Sequence, residues 1–167
     1  MPIITQTPRL IIRNFQPEEE DAYIALLSDE QVKEHLPKRT PDENRKGFRD
    51  TLTADEAGAI FSKWTIEHKP DGGYVGMCLL RNYDNLPDTL EVGYCMHVKY
   101  WGQGLATEMV NALITYASAQ PEINTIVAVT THGNIPSQKV LEKAGLVRQD
   151  NIIRENEELA FFRVEIK

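Results

Sequence analysis

One short segment with two glycines gives the clearest indication of a functional site in this chain. Residues 100–108 read Tyr-Trp-Gly-Gln-Gly-Leu-Ala-Thr-Glu and join a predicted strand to a predicted helix. Gly102 and Gly104 leave room for a ligand to approach the backbone. The first N–H groups of a helix have no partner within it, and the helix dipole places partial positive charge there. The segment therefore predicts a binding site for phosphate or another anion.

Other kinds of glycine turn fit this segment less well. A dinucleotide fingerprint that begins at Gly102 needs glycine at position 107, which is threonine, and the next predicted strand ends without an acid for a ribose. A P-loop needs a Lys-Ser/Thr pair after the second glycine, and the sequence has none. An isolated Gly-x-Gly can also serve tight helix packing alone, so the anion site needs support from other residues.

Size and charge exclude several classes of protein. The chain has 167 residues, 41% of them hydrophobic, which predicts a single domain over residues 1–167. Its net charge of -7 disfavours a general nucleic-acid or membrane-surface binder, because both would need a basic face. No apolar run has the length of a membrane span, and the first residues lack the hydrophobic region of a signal peptide. We therefore expect a cytoplasmic protein.

The cysteine and histidine positions disfavour a disulfide framework or a metal site. Cys78 and Cys95 both lie in strand-like segments and are predicted to be small buried side chains. His35, His68 and His132 show no metal-ligand spacing. We predict no bound metal.

Capping signals predict a helical region, broken into pieces, at residues 17–54. Ser28 with Gln31, and Thr40 with Glu43, have the spacing of a capping box. In an enzyme such a segment can form the rim of a substrate site.

Hydrophobic patterns and turn residues predict the remaining elements. In chain order these are a strand at 9–13, a hairpin of strands at 61–68 and 74–81, a turn at 85–88, a strand at 90–98, a helix after the glycine turn, a strand at 123–131, a short helix from 136 to 144, and strands at 146–153 and 159–166. This order predicts an α+β sandwich with a mixed sheet.

Four motifs together resemble one superfamily. They are Thr-Pro-Arg-Leu at 7–10, Glu-Val-Gly-Tyr at 91–94, the turn at 100–108, and the spacing of Asn134, Ser137 and Gly145. In combination they resemble the GNAT (Gcn5-related N-acetyltransferase) superfamily, and most closely its ribosomal-protein N-terminal acetyltransferase branch. The resemblance extends from residue 7 to about residue 166.

The resemblance implies a fold and a coenzyme. The central sheet would be mixed and mostly antiparallel, with helices on both faces and a splay between the parallel strands at 90–98 and 123–131. Acetyl-CoA would lie in the splay as a cosubstrate, its pantetheine arm paired with backbone near residues 96–98 and its diphosphate on the N–H groups of residues 102–107. The implied coenzyme contacts are Met96, His97, Val98, Trp101, Gly102, Gln103, Gly104, Leu105, Ala106, Thr107, Asn134 and Ser137.

Glu91 is the implied catalytic base and would act through water on the incoming amine. The alternative is a solvated or hydrogen-bonded strand glutamate. His97 is a second candidate base, with sheet packing as its alternative role. An amide N–H close to Met96 or His97 would stabilise the charge on the thioester oxygen.

The implied group that protonates the leaving thiolate is Ser137, and Asn134 would bind the pantetheine amide. Capping of the helix is the alternative role for Ser137. Many members of the superfamily use a tyrosine on this helix as the acid, and the matching residue here is Leu141.

The resemblance implies an N-acetyltransferase that moves an acetyl group from acetyl-CoA to a primary amine by direct attack in a ternary complex. The acceptor would be a protein N-terminus or a small amine, and acidic residues around 18–56 would suit a cationic one. Two alternatives stay open: a non-catalytic acyl-CoA-binding or regulatory domain of the same fold, and a nucleotide-binding oxidoreductase. The resemblance also leaves a homodimer open.

Overall fold

A computed structural model describes residues 2–167. Eight strands form a sheet in the order β1-β2-β3-β4-β5-β6-β8-β7, in which β5 and β6 are parallel and the sheet is otherwise mostly antiparallel. The strands are β1 Ile3–Gln6, β2 Leu10–Arg13, β3 Lys63–His68, β4 Tyr74–Tyr83, β5 Leu86–Met96, β6 Thr125–Thr130, β7 Val147–Arg154 and β8 Glu157–Glu165. The predicted mixed sheet is confirmed.

Five α-helices lie between these strands: α1 Glu20–Ser28, α2 Glu30–Lys33, α3 Pro41–Glu56, α4 Leu105–Ser118 and α5 Ile135–Lys143. Single-turn 3-10 helices occupy Pro17–Glu19 and Val98–Tyr100. None of the helices within residues 2–167 is long and apolar enough to cross a membrane.

The chain divides into two compact units. The first comprises the residues up to Leu79 together with Tyr94–Leu105, and the second comprises Leu80–Gly93 and Ala106–Lys167. Strands β4 and β5 contribute residues to both units. The single-domain prediction stays a prediction.

An aromatic cluster forms the core beneath the helices of the first unit. The rings of Phe15 and Phe48 are 5.2 Å apart in an edge-on arrangement, and Tyr23 packs edge-on against Phe15 at 5.4 Å. Edge-on aromatic contacts add stabilisation to the burial of apolar surface. Leu26 and Cys95 complete the centre of this cluster, which fixes α1 and α3 against the end of β5.

Capping explains where α2 and α3 begin. The Thr40 hydroxyl accepts a hydrogen bond from the N–H of Glu43, whose carboxylate accepts one from the N–H of Thr40, so the predicted capping box at α3 is confirmed. The predicted box at Ser28 is wrong, because Asp29 caps α2 and the Ser28 hydroxyl donates to the carbonyl of Ile24. The carboxylate of Asp29 is a stronger acceptor than the Ser28 hydroxyl for the first N–H groups of α2.

The hairpin between β4 and β5 also differs from its prediction. The sequence placed a turn at residues 85–88, whereas β5 already begins at Leu86. The turn consists of Asp84 and Asn85, with φ angles of 49° and 57°. Two consecutive positive φ values match the twist of a two-residue hairpin, and Asp and Asn tolerate them better than most residues.

The second unit contains the parallel pair. Thr89, Leu90 and Glu91 of β5 pair with residues 125–127 of β6, and this parallel ladder has no further residue pairs within residues 2–167. Residues 128–130 of β6 continue their pairing with β8 alone. The parallel contact between β5 and β6 therefore ends at Glu91, as expected for strands that separate.

Replacement of Thr40 by alanine tests the cap of α3. Because the substitution removes the acceptor for the N–H of Glu43, we expect it to lower the free energy of unfolding by about 1 kcal/mol. Thr53→Ala, at an exposed position on the same helix, is the matched control. Equal unfolding free energies for the two variants in urea titrations would contradict the capping role.

Candidate functional site

The glycine turn has the backbone that its sequence predicts. Gly102 and Gly104 have φ angles of 73° and 78°, a left-handed conformation that side-chain-bearing residues rarely adopt. Helix α4 begins one residue later, at Leu105, and continues for 14 residues. The N–H groups at its start lack intrahelical partners and lie at the positive end of the helix dipole. This backbone can accept a phosphate group without a basic side chain.

Side chains of the first unit hold the turn in place. The Trp101 indole N–H donates to the carbonyl of Met96 at 2.8 Å, and the Gln103 side-chain amide donates to the carbonyl of Lys99 at 3.1 Å. Arg9 donates from Nη1 to the carbonyl of Gln103 at 2.9 Å. Trp101 and Gln103 therefore brace the turn through their side chains, in addition to their predicted contact with the coenzyme.

The end of β5 differs from the prediction. The strand stops at Met96, and Val98 belongs to a 3-10 helix, so the predicted strand at 90–98 extends two residues too far at its C-terminal end. The N–H of His97 donates to the carbonyl of Val75 at 2.8 Å and thus serves the backbone network. The predicted role of an amide close to Met96 or His97 at the thioester oxygen stays a prediction.

A pocket opens beside this segment in the first unit. Its volume is about 440 Å³, and its lining consists of Asp29, Gly73, Tyr74, His97, Val98, Lys99 and Tyr100. The ring of His97 packs edge-on against Tyr74, with centroids 5.4 Å apart. The Oδ1 atom of Asp29 caps α2. An imidazole, a carboxylate and the ammonium group of Lys99 therefore line one pocket.

Glu91 is held by two arginines in the second unit. Its side chain is 6% exposed, and Arg154 donates from both Nη atoms to its two carboxylate oxygens at 3.0 Å. Arg81 adds a third hydrogen bond at 3.1 Å. The hydrogen bonds to Glu91 raise the pKa of the Arg154 guanidinium above its usual value. Glu91 is therefore a buried carboxylate paired with two partly exposed arginines, and sequence analysis missed the pair with Arg154 because that residue is 63 positions away.

Asn134 and Ser137 come together at the start of α5. Asn134 is the N-cap, and its side-chain oxygen accepts a hydrogen bond from the N–H of Ser137 at 3.3 Å. The capping role considered for Ser137 therefore belongs to Asn134. Leu141 is 2% exposed and packs in the hydrophobic core. The position that holds a tyrosine acid in many members of the superfamily therefore has a packing role here. The coenzyme contacts of Asn134 and Ser137 stay predictions.

Both cysteines are buried, as predicted. Cys78 is fully buried and Cys95 is 7% exposed, and neither forms a disulfide. Burial raises the pKa of the Cys95 thiol to about 12 and that of Cys78 further still. Neither thiol ionises near neutral pH, which disfavours an acyl-cysteine intermediate. Within residues 2–167, no three His, Cys, Asp or Glu residues are grouped so that they could hold a metal ion, and the absence of a metal stays a prediction.

The sequence matches the acetyltransferase (GNAT) domain family over residues 9–147. This chain therefore belongs to the GNAT acetyltransferase family, and the resemblance drawn from its motifs is confirmed. It is an acetyl-CoA-dependent acyltransferase with acetyl-CoA as its cosubstrate.

Known relatives agree with this assignment. The uncharacterized N-acetyltransferase YnaD of Bacillus subtilis (strain 168) is 26% identical over 144 residues, which cover 86% of this chain and 82% of YnaD. The fold of an acetyltransferase (GNAT family) from Bacillus anthracis is similar, with a TM-score of 0.82, 24% identity and 99% coverage of both chains. RimL, a ribosomal L7/L12 alpha-N-protein acetyltransferase solved in complex with coenzyme A, has a TM-score of 0.82 at 15% identity over 98% of each chain.

Replacement of Arg154 by methionine tests the ion pair. The variant leaves the buried Glu91 carboxylate with Arg81 alone, so we expect the free energy of unfolding to fall by roughly 1–3 kcal/mol. Arg163→Met, which breaks an exposed pair with Glu165, should cost under about 1 kcal/mol. Urea titrations compare the two variants, and equal losses would show that the Glu91 pair adds no special stability.

Proposed function

We propose that this protein transfers the acetyl group of acetyl-CoA to a primary amine by direct attack in a ternary complex. The observation that supports it most strongly is the turn at Gly102 and Gly104, whose left-handed backbone leads into the start of α4. Membership of the GNAT family indicates acetyl-CoA as the coenzyme, and the backbone N–H groups of the turn are uncharged donors for its diphosphate. The two buried cysteines favour transfer without a covalent enzyme intermediate.

The reaction requires three events. The amine nitrogen, once neutral, attacks the thioester carbonyl carbon, and its surplus proton passes to a base. The carbon–sulfur bond then breaks, the amide product forms, and the thiolate of CoA takes up a proton. We propose the amide near Met96 as the donor to the thioester oxygen, Asn134 as the donor to the pantetheine arm, and Ser137 as the donor to the departing sulfur.

Two residues are proposed for the base. Glu91 keeps its place from sequence analysis, although Arg81 and Arg154 already donate to its carboxylate. His97 gains support from the pocket, which it shares with Asp29. A base there would share the pocket with the Asp29 carboxylate and the Lys99 ammonium group.

The proposed acceptor is a peptide N-terminus or a small amine. Similarity to RimL supports the first class, because the name of that protein specifies acetylation of a protein N-terminus. Assays with ribosomal N-terminal peptides, polyamines, amino acids and aminoglycosides, with released thiol as the readout, would separate the classes. A homodimer and a lack of nucleic-acid binding stay predictions.

A second candidate function is acyl-CoA binding without transfer. It is favoured by the arginines that hold Glu91 and by the buried leucine at the position where many family members have a tyrosine acid. Such a protein would show heat of CoA binding in calorimetry and release no thiol with any amine. Thiol release above the solvent rate would exclude it.

Replacement of Gly104 by alanine tests the turn. Alanine at a φ of 78° strains the backbone and shifts the N–H donors, so we expect the Kd for CoA to rise at least tenfold. Gly58→Ala is the matched control, because Gly58 has a φ of 86° and lies outside the turn. Calorimetry measures the Kd for CoA of both variants, and equal values would show that the turn does not bind the coenzyme.

Replacement of Glu91 by glutamine tests the base. If Glu91 accepts the proton, kcat should fall roughly 100-fold or more while the Kd for CoA stays nearly constant. Arg154→Met is the matched control, because it disturbs the same ion pair and keeps the carboxylate.

Equal losses of kcat in the two variants would assign Glu91 a structural role. The variant His97→Gln then tests the second candidate base. If His97 is the base, kcat should fall in this variant while the Kd for CoA stays nearly constant.

A further inference from the structure

We propose that the hairpin turn at residues 68–73 positions the coenzyme turn through a contact between Asp71 and Tyr100. This inference rests on the proposed function, because it assigns a role in coenzyme binding to residues that lie outside the turn. Asp71 and Tyr100 are positioning residues: they hold the turn, and neither is assigned a contact with the coenzyme.

Asp71 organises the hairpin turn. Its Oδ1 atom accepts a hydrogen bond from the N–H of Gly73 at 2.8 Å and lies 3.0 Å from Nδ1 of His68. The hydrogen bond from Gly73 and the contact with His68 lower the pKa of the Asp71 carboxyl below its usual value. The carboxylate is therefore charged at neutral pH and is a strong acceptor.

Tyr100 connects this hairpin to the coenzyme turn. Its side chain is buried, and its hydroxyl donates to the Asp71 carboxylate, with oxygen–oxygen distances of 3.3 and 3.4 Å. The ring of His68 packs on the Tyr100 ring at 5.1 Å. Tyr100 ends the 3-10 helix that leads into the turn, two residues before Gly102. A displacement of Tyr100 therefore moves the backbone that begins the turn.

The contact depends on a glycine at position 73. A Cβ atom at this position would lie 2.0 Å from the Tyr100 hydroxyl oxygen, well inside van der Waals contact. Glycine is required here by the close approach of the tyrosine. The hairpin and Tyr100 thus fit together only while residue 73 lacks a side chain.

A second connection links the same hairpin to the turn. The N–H of Lys69 donates to the carbonyl of Arg9 at 2.8 Å, and the Arg9 guanidinium donates to the carbonyl of Gln103 at 2.9 Å. The hairpin therefore supports the turn both before and after Gly102. A turn held in this way has its N–H donors in place before the coenzyme arrives, which reduces the entropy lost on binding.

The test is a double-mutant cycle with Tyr100→Phe, Gly73→Ala and the double variant. Tyr100→Phe removes the hydroxyl, and Gly73→Ala displaces it, so each should raise the Kd for CoA and the KM for acetyl-CoA about 5- to 20-fold. Tyr100→Phe removes the atom nearest to the new methyl group, whereas Oδ1 of Asp71 at 2.9 Å and Cζ of Tyr100 at 3.3 Å remain. The double variant should therefore raise the Kd by less than the product of the two single effects.

Matched controls separate positioning from general loss of structure. Tyr83→Phe and Gly47→Ala make the same chemical changes at sites outside the hairpin and the turn, and both should bind CoA normally. Hydrogen exchange of the amides of residues 101–105 without coenzyme should be faster in Tyr100→Phe than in Tyr83→Phe.

Failure of the positioning role and failure of the proposed function give different results in these experiments. If the unsubstituted protein takes up no CoA, the proposed function fails. If it binds CoA and Tyr100→Phe binds equally well, or if the effects of Tyr100→Phe and Gly73→Ala are additive, only the positioning role fails. A fall in kcat at unchanged KM would also overturn that role.

Discussion

Backbone N–H groups at the start of α4, which have no partners within the helix, are the feature on which the proposed binding of the coenzyme depends. A chain with a net charge of -7 has no general attraction for a polyanion, so the attraction has to be local. Peptide dipoles supply it without desolvating a buried charge, provided that the backbone is bent in advance. The positive φ angles of Gly102 and Gly104 give that bend, and Trp101, Gln103 and Arg9 hold it. Much of the first unit can be understood as support for this conformation.

The candidate base presents a conflict between two roles. Glu91, the last residue of β5 that pairs with β6, is proposed to accept a proton, yet within the second unit its carboxylate accepts three hydrogen bonds from arginines. An ion pair favours the charged form of its carboxylate and restricts its orientation, whereas a base has to contact the substrate or a water. His97, for which sheet packing was the alternative role, instead lines a pocket.

Local signals allowed much of the fold to be predicted from the sequence. The capping box at Thr40 and the glycine turn before α4 were predictable because the residues that determine them are close in sequence. The errors arose where two local signals competed, as at Ser28 and Asp29. The contacts of Arg154 with Glu91 and of Tyr100 with Asp71 were not predictable, because they join residues that are 63 and 29 positions apart. Such pairs depend on how the strands are arranged, which periodicity does not reveal.

The burial of both cysteines has a consequence for a protein whose reaction releases a thiol. Coenzyme A set free at each turnover could form a mixed disulfide with an exposed cysteine under oxidising conditions. Cys78 and Cys95 are inaccessible, and burial raises the pKa of both thiols, so little thiolate is available for exchange. The same core that packs the sheet therefore protects the enzyme from modification by its own product.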